Sequence, residues 1–251
     1  MPTALGQRNF TACEKAQFRK SIDMYVVERS LRFMRGALLS YGPSPLKKLF
    51  WDSEYLSGKW NFNDETASDS VYPPLEKYAR NGSILDLGCG SGNTANEMAV
   101  SAYRTYLGVD ISEPALRKAR RWTEQSGRAD KNSFAQGDLL SYVPTQRFDV
   151  ILFRESIYHI PLGKVKAVLG RYSKYLRDGG VFIVRLFTSE NGKSKSRPSA
   201  MMRVIETSFD VLEKPHYSQS GATVIVFRPR IRSKRGDTSP QPEAIPGPGE
   251  R

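Results

Sequence analysis

The sequence predicts an α/β fold, a seven-stranded and mostly parallel sheet with helices on both faces. Short apolar runs typical of strands alternate with helix-compatible stretches over residues 83–228, and such alternation produces βαβ units with right-handed crossovers. A turn with Gly88, Gly90 and Gly92 follows the first apolar run. Glycine is required there because a Cβ would disfavour positive φ and keep a ligand away from the backbone.

The expected elements follow from this alternation. Strands are predicted at 83–87, 105–110, 132–136, 148–153, 180–187, 209–214 and 222–228, and helices at 93–102, 113–126, 162–177 and 198–208. No helix is predicted between the last two strands. We therefore expect them to form a hairpin at the edge of the sheet, which gives one antiparallel strand.

Residues 1–80 are predicted to form a helical extension with an aromatic cap, 81–228 the ligand-binding domain, and 229–251 a disordered, proline-rich tail. Within the first part, 1–11 are expected to be disordered. A helix over 12–39 either packs on the domain or faces an acidic surface. After a short amphipathic turn at 46–51, four aromatic residues crowd 51–62, either as a lid or pocket wall or as a loop fastened to the core. A short helix is predicted at 72–80.

The basic charge is concentrated at the two ends of the chain. The formal net charge is +12, but the first 50 residues hold nine basic and three acidic residues, and 228–251 hold six and three. The part between them is nearly balanced. An enzyme that acts on nucleic acid more often carries a basic stripe around its site, so this distribution counts against a nucleic-acid acceptor without excluding one.

The composition also bounds the cellular setting. No apolar run approaches the roughly 20 residues that span a bilayer, and charged residues interrupt the first 30 positions, so no signal peptide is expected. The two cysteines, Cys13 and Cys89, do not suggest a disulfide framework. We therefore expect a cytoplasmic protein, and we predict no metal site.

Acidic residues after the first three strands indicate which ligand the turn holds. Asp110 ends the second strand, where it can bind ribose hydroxyls, and Asp138 follows the third, where it can bind the exocyclic amine of a base. A dinucleotide site needs a third glycine where this chain has Asn93. Asp86 before the turn would repel a pyrophosphate but suits an ammonium and a sulfonium. Together these features predict S-adenosylmethionine.

Taken together, residues 84–94, 107–112, 137–139, 148–153 and 176–182 resemble the successive motifs of the class I S-adenosylmethionine-dependent methyltransferases. The resemblance covers about 80–228 and implies their Rossmann-like fold. It implies that the methionine part of the cofactor contacts Asp86, Gly88 and Gly90, the ribose Asp110 with Ile111, and the adenine Asp138 with Leu139. The segment around Tyr55 and Trp60 resembles, more loosely, the aromatic segment with which small-molecule members cover cofactor and substrate.

Residues 154–160 follow the fourth strand and lie beneath the expected reaction centre. His159 is the first candidate for a general base and Glu155 the second, although His159 could instead shape the pocket wall. Arg154 is placed with the cofactor-binding residues; it stands where amino-methylating enzymes of DNA bases carry an Asn/Asp-Pro-Pro-aromatic motif, which is absent here. With Arg185 it could bind an acidic acceptor, or both could be paired.

The function predicted is transfer of a methyl group to an oxygen or nitrogen of a small molecule by in-line displacement. The acceptor pocket is expected to include the loop at 188–198, either as a gate or as a solvated loop. Two alternatives stay open: an RNA or protein methyltransferase, suggested by the basic ends, and a binding protein that keeps the cofactor fold without catalysis.

Overall fold

An eight-stranded sheet forms the centre of the protein in a computed structural model that describes residues 30, 34–60, 68–188, 196–217 and 220–230. In spatial order the strands are β3, β2, β1, β4, β5, β8 and β6, with β7 also paired to β8. Their bounds are β1 Gly82–Leu87, β2 Tyr103–Asp110, β3 Asn132–Gln136, β4 Phe148–Arg154, β5 Leu176–Phe187, β6 Asp210–Glu213, β7 His216–Tyr217 and β8 Ala222–Arg228.

The first five strands run parallel, and β8 inserts antiparallel between β5 and β6. This arrangement confirms the α/β fold and the mostly parallel sheet. The strand count is one higher than predicted because the two-residue strand β7 pairs with β8. Strand order reverses between β1 and β4, and ligands bind at such a point beyond the carboxyl ends of the strands.

The helices are α1 (34–41), α2 Ser44–Leu56, α3 Tyr72–Ala79, α4 Asn93–Glu97, α5 Glu113–Gln125, α6 Val165–Tyr172 and α7 Ser196–Ser208. Helix α4 and strand β5 differ in length from their predicted ranges. Helix α4 is shorter because Met98 adopts an extended conformation, with φ −58° and ψ 149°. Strand β5 begins four residues early, since a register shift around Gly179, at φ 78°, lets Leu176 pair with Phe148.

Two apolar clusters bury the two faces of the sheet. One includes Phe153, Phe182 and Leu169 and packs α6 and α7 on one face, whereas the other includes Leu75 and Ile183 and packs α3 on the opposite face. Burial of this area is the main stabilising contribution to the fold. Within the described ranges, no helix is both long and apolar enough to cross a lipid bilayer.

Helix α2, Ser44–Leu56, replaces the short turn predicted at 46–51 and the first half of the aromatic loop predicted at 51–62. Its sequence hides the helical period because the usual pattern is inverted: Lys47 and Glu54 are buried, whereas Leu46, Leu49 and Leu56 are exposed. Pro43 and Pro45 precede and open the helix, where the missing N–H of proline costs nothing. Lys47 lines the cavity, where it pairs with Asp138, and Glu54 pairs with Arg35 and Lys59, so each buried charge has a partner.

Several predictions lie outside the described residues. They are the disordered start at 1–11, most of the helix at 12–39, the end of the aromatic segment at 61–62, the middle of the loop at 188–198 and the tail from 231 onward.

Candidate active site

A cavity of about 880 Å³ opens at the carboxyl ends of the central strands. Its volume falls in the upper part of the range of about 300–1,000 Å³ typical of ligand sites. The residues predicted as site residues all line it: Tyr55, Trp60, Asp86, Gly88, Gly90, Asp110, Ile111, Asp138, Leu139, Arg154, Glu155 and His159.

The glycine turn has the geometry that its sequence requires. Gly88, Gly90 and Gly92 have φ values of 85°, 56° and 81°, in the left-handed region that glycine adopts most readily. A Cβ at Gly90 would lie 2.7 Å from the Tyr55 hydroxyl, and one at Gly92 would lie 2.8 Å from the Cβ of Ala119. The turn therefore sits beneath α2 and against α5.

Asp86 is fully buried at the end of β1. The Tyr106 hydroxyl donates to its Oδ2 at 2.6 Å, whereas Oδ1 is buried without a hydrogen-bond partner among the described residues. Burial raises the pKa of Asp86 to about 6, against the opposing effects of Tyr106 and the Arg154 charge. A buried carboxylate oxygen without a donor fits a ligand that brings an ammonium group.

Asp110 ends β2, and its carboxylate binds a backbone N–H group of the glycine turn. Its Oδ2 accepts from the Gly90 N–H at 2.9 Å and its Oδ1 from the Ser112 N–H at 2.9 Å. Burial raises the pKa of Asp110, while these backbone hydrogen bonds oppose the rise. Since each oxygen uses one of its two lone pairs, capacity remains for ligand hydroxyls.

Asp138 is held by α2. Lys47 forms an ion pair with its Oδ2, Ser44 donates to the same oxygen at 2.7 Å, and the Leu140 N–H donates to Oδ1 at 2.9 Å. The side chains of Lys47 and Asp138 are only 7% and 9% exposed. Although burial opposes ionisation, these hydrogen bonds lower the pKa of Asp138. Sequence analysis missed Lys47 because its partner is 91 residues away.

Helix α2 also touches the loops that follow β2 and β4. Ser112 donates to Asp52 at 2.9 Å, and the Trp51 ring meets the His159 ring edge-on, with centroids 5.1 Å apart. With Lys47 on Asp138 and Tyr55 over Gly90, the helix contacts the loops that follow β1, β2, β3 and β4. The aromatic segment is therefore a pocket wall, one of the two roles that its sequence left open.

An ion-pair network occupies the ends of β4 and β5. Asp69 accepts from Arg154 at 2.7 Å and from Arg185 at 3.1 Å, and Arg185 also pairs with Glu155. The Tyr158 hydroxyl donates to Glu155. Although burial opposes it, the two arginines lower the pKa of Asp69. Arg154 and Arg185 are thus paired, the second of the alternatives that the sequence allowed.

The two candidate bases differ in their surroundings. Burial raises the pKa of Glu155, against the Arg185 charge, and its backbone has a φ of 54°, uncommon for a residue with a side chain. Burial lowers the pKa of His159 to about 4, and the charges of Arg197, Arg35 and Lys47 lower it further. His159 is therefore neutral at pH 7 and able to accept a proton.

A family model described as a methyltransferase domain matches residues 79–218, more than half of the chain. The chain belongs to this methyltransferase family. The match covers the sheet from β1 to β7 and the loops that carry Asp86, Asp110 and Asp138. It confirms the predicted recognition as a class I S-adenosylmethionine-dependent methyltransferase, and with it the enzyme class and the cofactor of the family.

Similar proteins include a sterol 24-C-methyltransferase of Gibberella zeae, 31% identical over 100 residues that cover 39% of this chain and 26% of that protein. An uncharacterized methyltransferase of Bacillus cereus is 23% identical over 58% of this chain and 67% of that protein. The chain therefore spans well under half of the sterol methyltransferase.

Solved structures share the fold. The 1,6-didemethyltoxoflavin-N1-methyltransferase of Burkholderia thailandensis, which contains its acceptor and S-adenosylhomocysteine, superposes with a TM-score of 0.58. It is 19% identical, and the alignment covers 72% of this chain and 86% of that one. At 19% identity, this similarity shows that the two proteins share a fold.

Three cavity residues of the methyltransferase were not identified individually from the sequence, although Arg197 belongs to the 188–198 segment that was expected in the acceptor pocket. Arg35 and Ser40 lie on α1, and Arg197 begins α7. Arg197 donates to the Ser40 hydroxyl at 3.0 Å and to the Tyr158 carbonyl at 2.7 Å. Their neighbours in sequence are ordinary helix residues, so only the fold brings them to the cavity.

Proposed function

We propose that this methyltransferase transfers a methyl group from S-adenosylmethionine to an oxygen or nitrogen of a small molecule. The observation that carries this proposal is the cavity itself. Its lining includes Asp86, Asp110 and the glycine turn, which fit the cofactor, and also His159, Trp51 and Phe187, which fit an acceptor. The relatives are named for small acceptors, a sterol and a toxoflavin precursor, which supports an acceptor of this size.

The cofactor is assigned to the end of the cavity nearest β1 to β3. Asp86 would receive the ammonium through its unpartnered Oδ1, and the turn at Gly88 and Gly90 would approach the methionine part. Asp110 with Ile111 would hold the ribose and Asp138 with Leu139 the adenine. Tyr55, Trp60 and Arg154 line the same cavity and would close over the cofactor. Bound there, S-adenosylmethionine supplies an electrophilic methyl group on a sulfonium.

The chain's own contribution to the reaction is position and proton removal. Holding the acceptor in line with the methyl group accounts for most of the acceleration in such a displacement. The residues that line the cavity would align a lone pair of the acceptor with the electrophilic methyl group that the cofactor supplies. The acceptor would also lose a proton, and we propose that neutral His159 takes it; Glu155 is the second candidate, although Arg185 already pairs with it.

We also propose that 81–228 form the catalytic domain and 1–80 its cap. The contacts of α2 with Asp138, Ser112 and His159 support this division, because they make the cap part of the cavity wall.

Methyl-labelled S-adenosylmethionine incubated with the protein and a cell extract tests the function. We expect the label in the low-mass filtrate, as products one methyl group heavier, and we expect Asp110→Ala to abolish the transfer by weakening cofactor binding. Label in RNA or protein instead of the filtrate would identify a different acceptor class. No binding of S-adenosylmethionine in calorimetry would overturn the cofactor assignment and leave a non-catalytic binding protein.

A further inference from the structure

The charged residues at the acceptor end of the cavity do not balance. This end is lined by α1, the turn at Ile157–His159 and the start of α7. Elsewhere in the cavity the positive charges are matched: Lys47 by Asp138, and Arg154 with Arg185 by Asp69 and Glu155. Two further guanidinium groups differ from these: Arg35, whose side chain is 38% exposed, shares its one carboxylate with another cation, and exposed Arg197 forms no ion pair with a carboxylate of the described residues.

Arg35 shares its carboxylate with another cation. Its Nη2 donates to Glu54 at 3.1 Å, but Glu54 also pairs with Lys59 and accepts from the Trp60 ring nitrogen at 3.2 Å. One carboxylate therefore serves two positive side chains. In addition, the Arg35 Nε is buried without a hydrogen-bond partner in the described part of the chain. A buried guanidinium N–H without an acceptor is costly, so this donor points to an absent acceptor.

Arg197 binds neutral acceptors only, within the described ranges. Its Nη2 donates to the Ser40 hydroxyl at 3.0 Å, and to the carbonyls of Tyr158 at 2.7 Å and Ile160 at 3.3 Å. These bonds fix the guanidinium at the cavity while leaving its charge unneutralised. Since Ser40 and Arg35 both lie on α1 and line the cavity, the two cations face the same space.

The space between them suits a flat, apolar molecule. Trp51 and Phe187 line the cavity together with the two arginines and His159. Aromatic walls bind an apolar body, and a guanidinium binds carboxylate, sulfate or phosphate through charge-assisted hydrogen bonds. An acceptor with one anionic group would satisfy the Arg35 Nε and neutralise Arg197.

We propose that Arg197 and Arg35 form an oxyanion subsite and that the methyl acceptor is a small molecule with an apolar body and a negatively charged group. This inference rests on the proposed small-molecule methyltransferase function. It names the class of acceptor and assigns specificity to two residues of α1 and α7. The atom that receives the methyl group lies beyond the anionic group, towards His159.

Fractionation of the acceptor pool by charge tests the class. A cell extract is separated at pH 8 on an anion exchanger, and the unretained and retained fractions are each incubated with methyl-labelled S-adenosylmethionine and the full-length protein. We expect low-mass product from the retained, anionic fraction. Product that arises only from the unretained fraction would overturn the proposal.

Substitution of Arg197 tests the subsite with the same fraction. We expect Arg197→Gln to raise the apparent KM for the active fraction at least about tenfold, with kcat changed far less, because a charge-assisted hydrogen bond is lost. Arg197→Lys keeps the charge and should recover most of the affinity. Arg203→Gln is the matched control, since Arg203 is exposed on the same helix and does not line the cavity. Equal effects of Arg197→Gln and Arg203→Gln would refute the subsite.

Calorimetry with S-adenosylhomocysteine distinguishes a failure of the oxyanion subsite from a failure of the proposed function. Each variant should bind it as the unsubstituted protein does, which shows that the fold and cofactor site are intact. A protein that binds S-adenosylhomocysteine and methylates an uncharged acceptor contradicts the oxyanion subsite alone. A protein that does not bind it contradicts the proposed function on which the subsite depends.

Discussion

His159 is held neutral by the same features that place it in the cavity. Its pKa of about 4 lies below the ordinary value of 6.5, mainly through burial and further through the Arg197, Arg35 and Lys47 charges. Protonation is therefore disfavoured in the folded state, and the stability that this group contributes is present above pH 6.5 and is lost as the pH falls towards 4. His159 is therefore in the form that can accept a proton, although its lowered pKa makes it a weaker base than an ordinary imidazole.

The first prediction concerns this residue. If His159 removes the acceptor proton, His159→Gln should lower kcat by about two orders of magnitude and leave the affinity for S-adenosylhomocysteine unchanged. The kcat of the unsubstituted protein should stay level from pH 8 to about 5 and fall only towards pH 4. Steady-state kinetics across this range measure both effects. An unchanged kcat in His159→Gln would reject His159 as the base and leave it as part of the wall.

At the scale of single residues, the sequence predicted mainly side chains that follow strands, and on α2 it predicted Tyr55 but missed Lys47. Asp86, Asp110 and Asp138 could be found because parallel strands bring their carboxyl ends to one edge. Lys47 and Arg197 have partners far along the chain, Asp138 at 91 residues and Ser40 at 157 residues, which no local spacing reveals. The partners of Arg154 were equally hidden, since Asp69 lies 85 residues away.

Helix α2 is the element whose attachment matters most to the site. Lys47 and Lys48 are neighbours on it, and both form ion pairs, but they differ in burial. The Lys47 side chain is 7% exposed and pairs with buried Asp138, whereas Lys48 is 40% exposed and pairs with Asp52. Removal of one partner from a buried pair leaves an uncompensated charge, which costs about 3–5 kcal/mol, whereas exposed pairs contribute about 0–1 kcal/mol.

We therefore predict that Lys47→Met lowers the free energy of unfolding by about 3 kcal/mol, and that Lys48→Met changes it by less than about 1 kcal/mol. Urea titration followed by tryptophan fluorescence measures both. Asp138→Asn combined with Lys47→Met should restore part of the loss, because no charge then remains buried. Equal losses in the two single variants would show that α2 is not fastened through Asp138.

The prediction of elements failed at α2, which buries charged side chains that have ion-pair partners. Periodicity identifies a helix by its apolar stripe, and α5 and α6 were found in this way. Helix α2 buries Lys47 and Glu54 and exposes three leucines, so the same criterion indicated a turn and a loop. The break in pattern was itself a functional signal, since buried charges on a helix require partners.

At the scale of the whole molecule, the fold was predictable because each level of the sequence indicated the same architecture. Alternating strands and helices, the glycine turn and the acids after strands all agree with the sheet order that the structure shows. The acceptor was not predictable in this way, because its end of the cavity is built from α1, α2 and α7, which lie apart in the chain and carry no common motif.

Burial of the Asp86 carboxylate destabilises the folded protein, and we expect this effect to be measurable in the free energy of unfolding. The pKa of Asp86 is raised from 3.8 to about 6, so the folded state binds this proton more tightly than the unfolded chain. The contribution of Asp86 to stability therefore falls as the pH rises from about 4 to 6 and stays reduced above pH 6, by up to about 3 kcal/mol. A ligand ammonium near Oδ1 would offset this loss.

The last prediction follows from this balance. Asp86→Asn should raise the Tm of the ligand-free protein by several degrees at pH 8, and by less at pH 4.5, because it removes the buried charge. S-adenosylhomocysteine at 100 times its Kd should stabilise the unsubstituted protein by about 2.7 kcal/mol, but the variant much less, since its affinity falls at least about tenfold. Calorimetric scans with and without ligand measure both effects, with exposed Asp130→Asn as the matched control. A residue that binds the cofactor but destabilises the ligand-free fold must show both changes together. A lower Tm in ligand-free Asp86→Asn would therefore show that Asp86 does not hold the ammonium. An equal rise in Tm on addition of S-adenosylhomocysteine to the variant and to the unsubstituted protein would show the same.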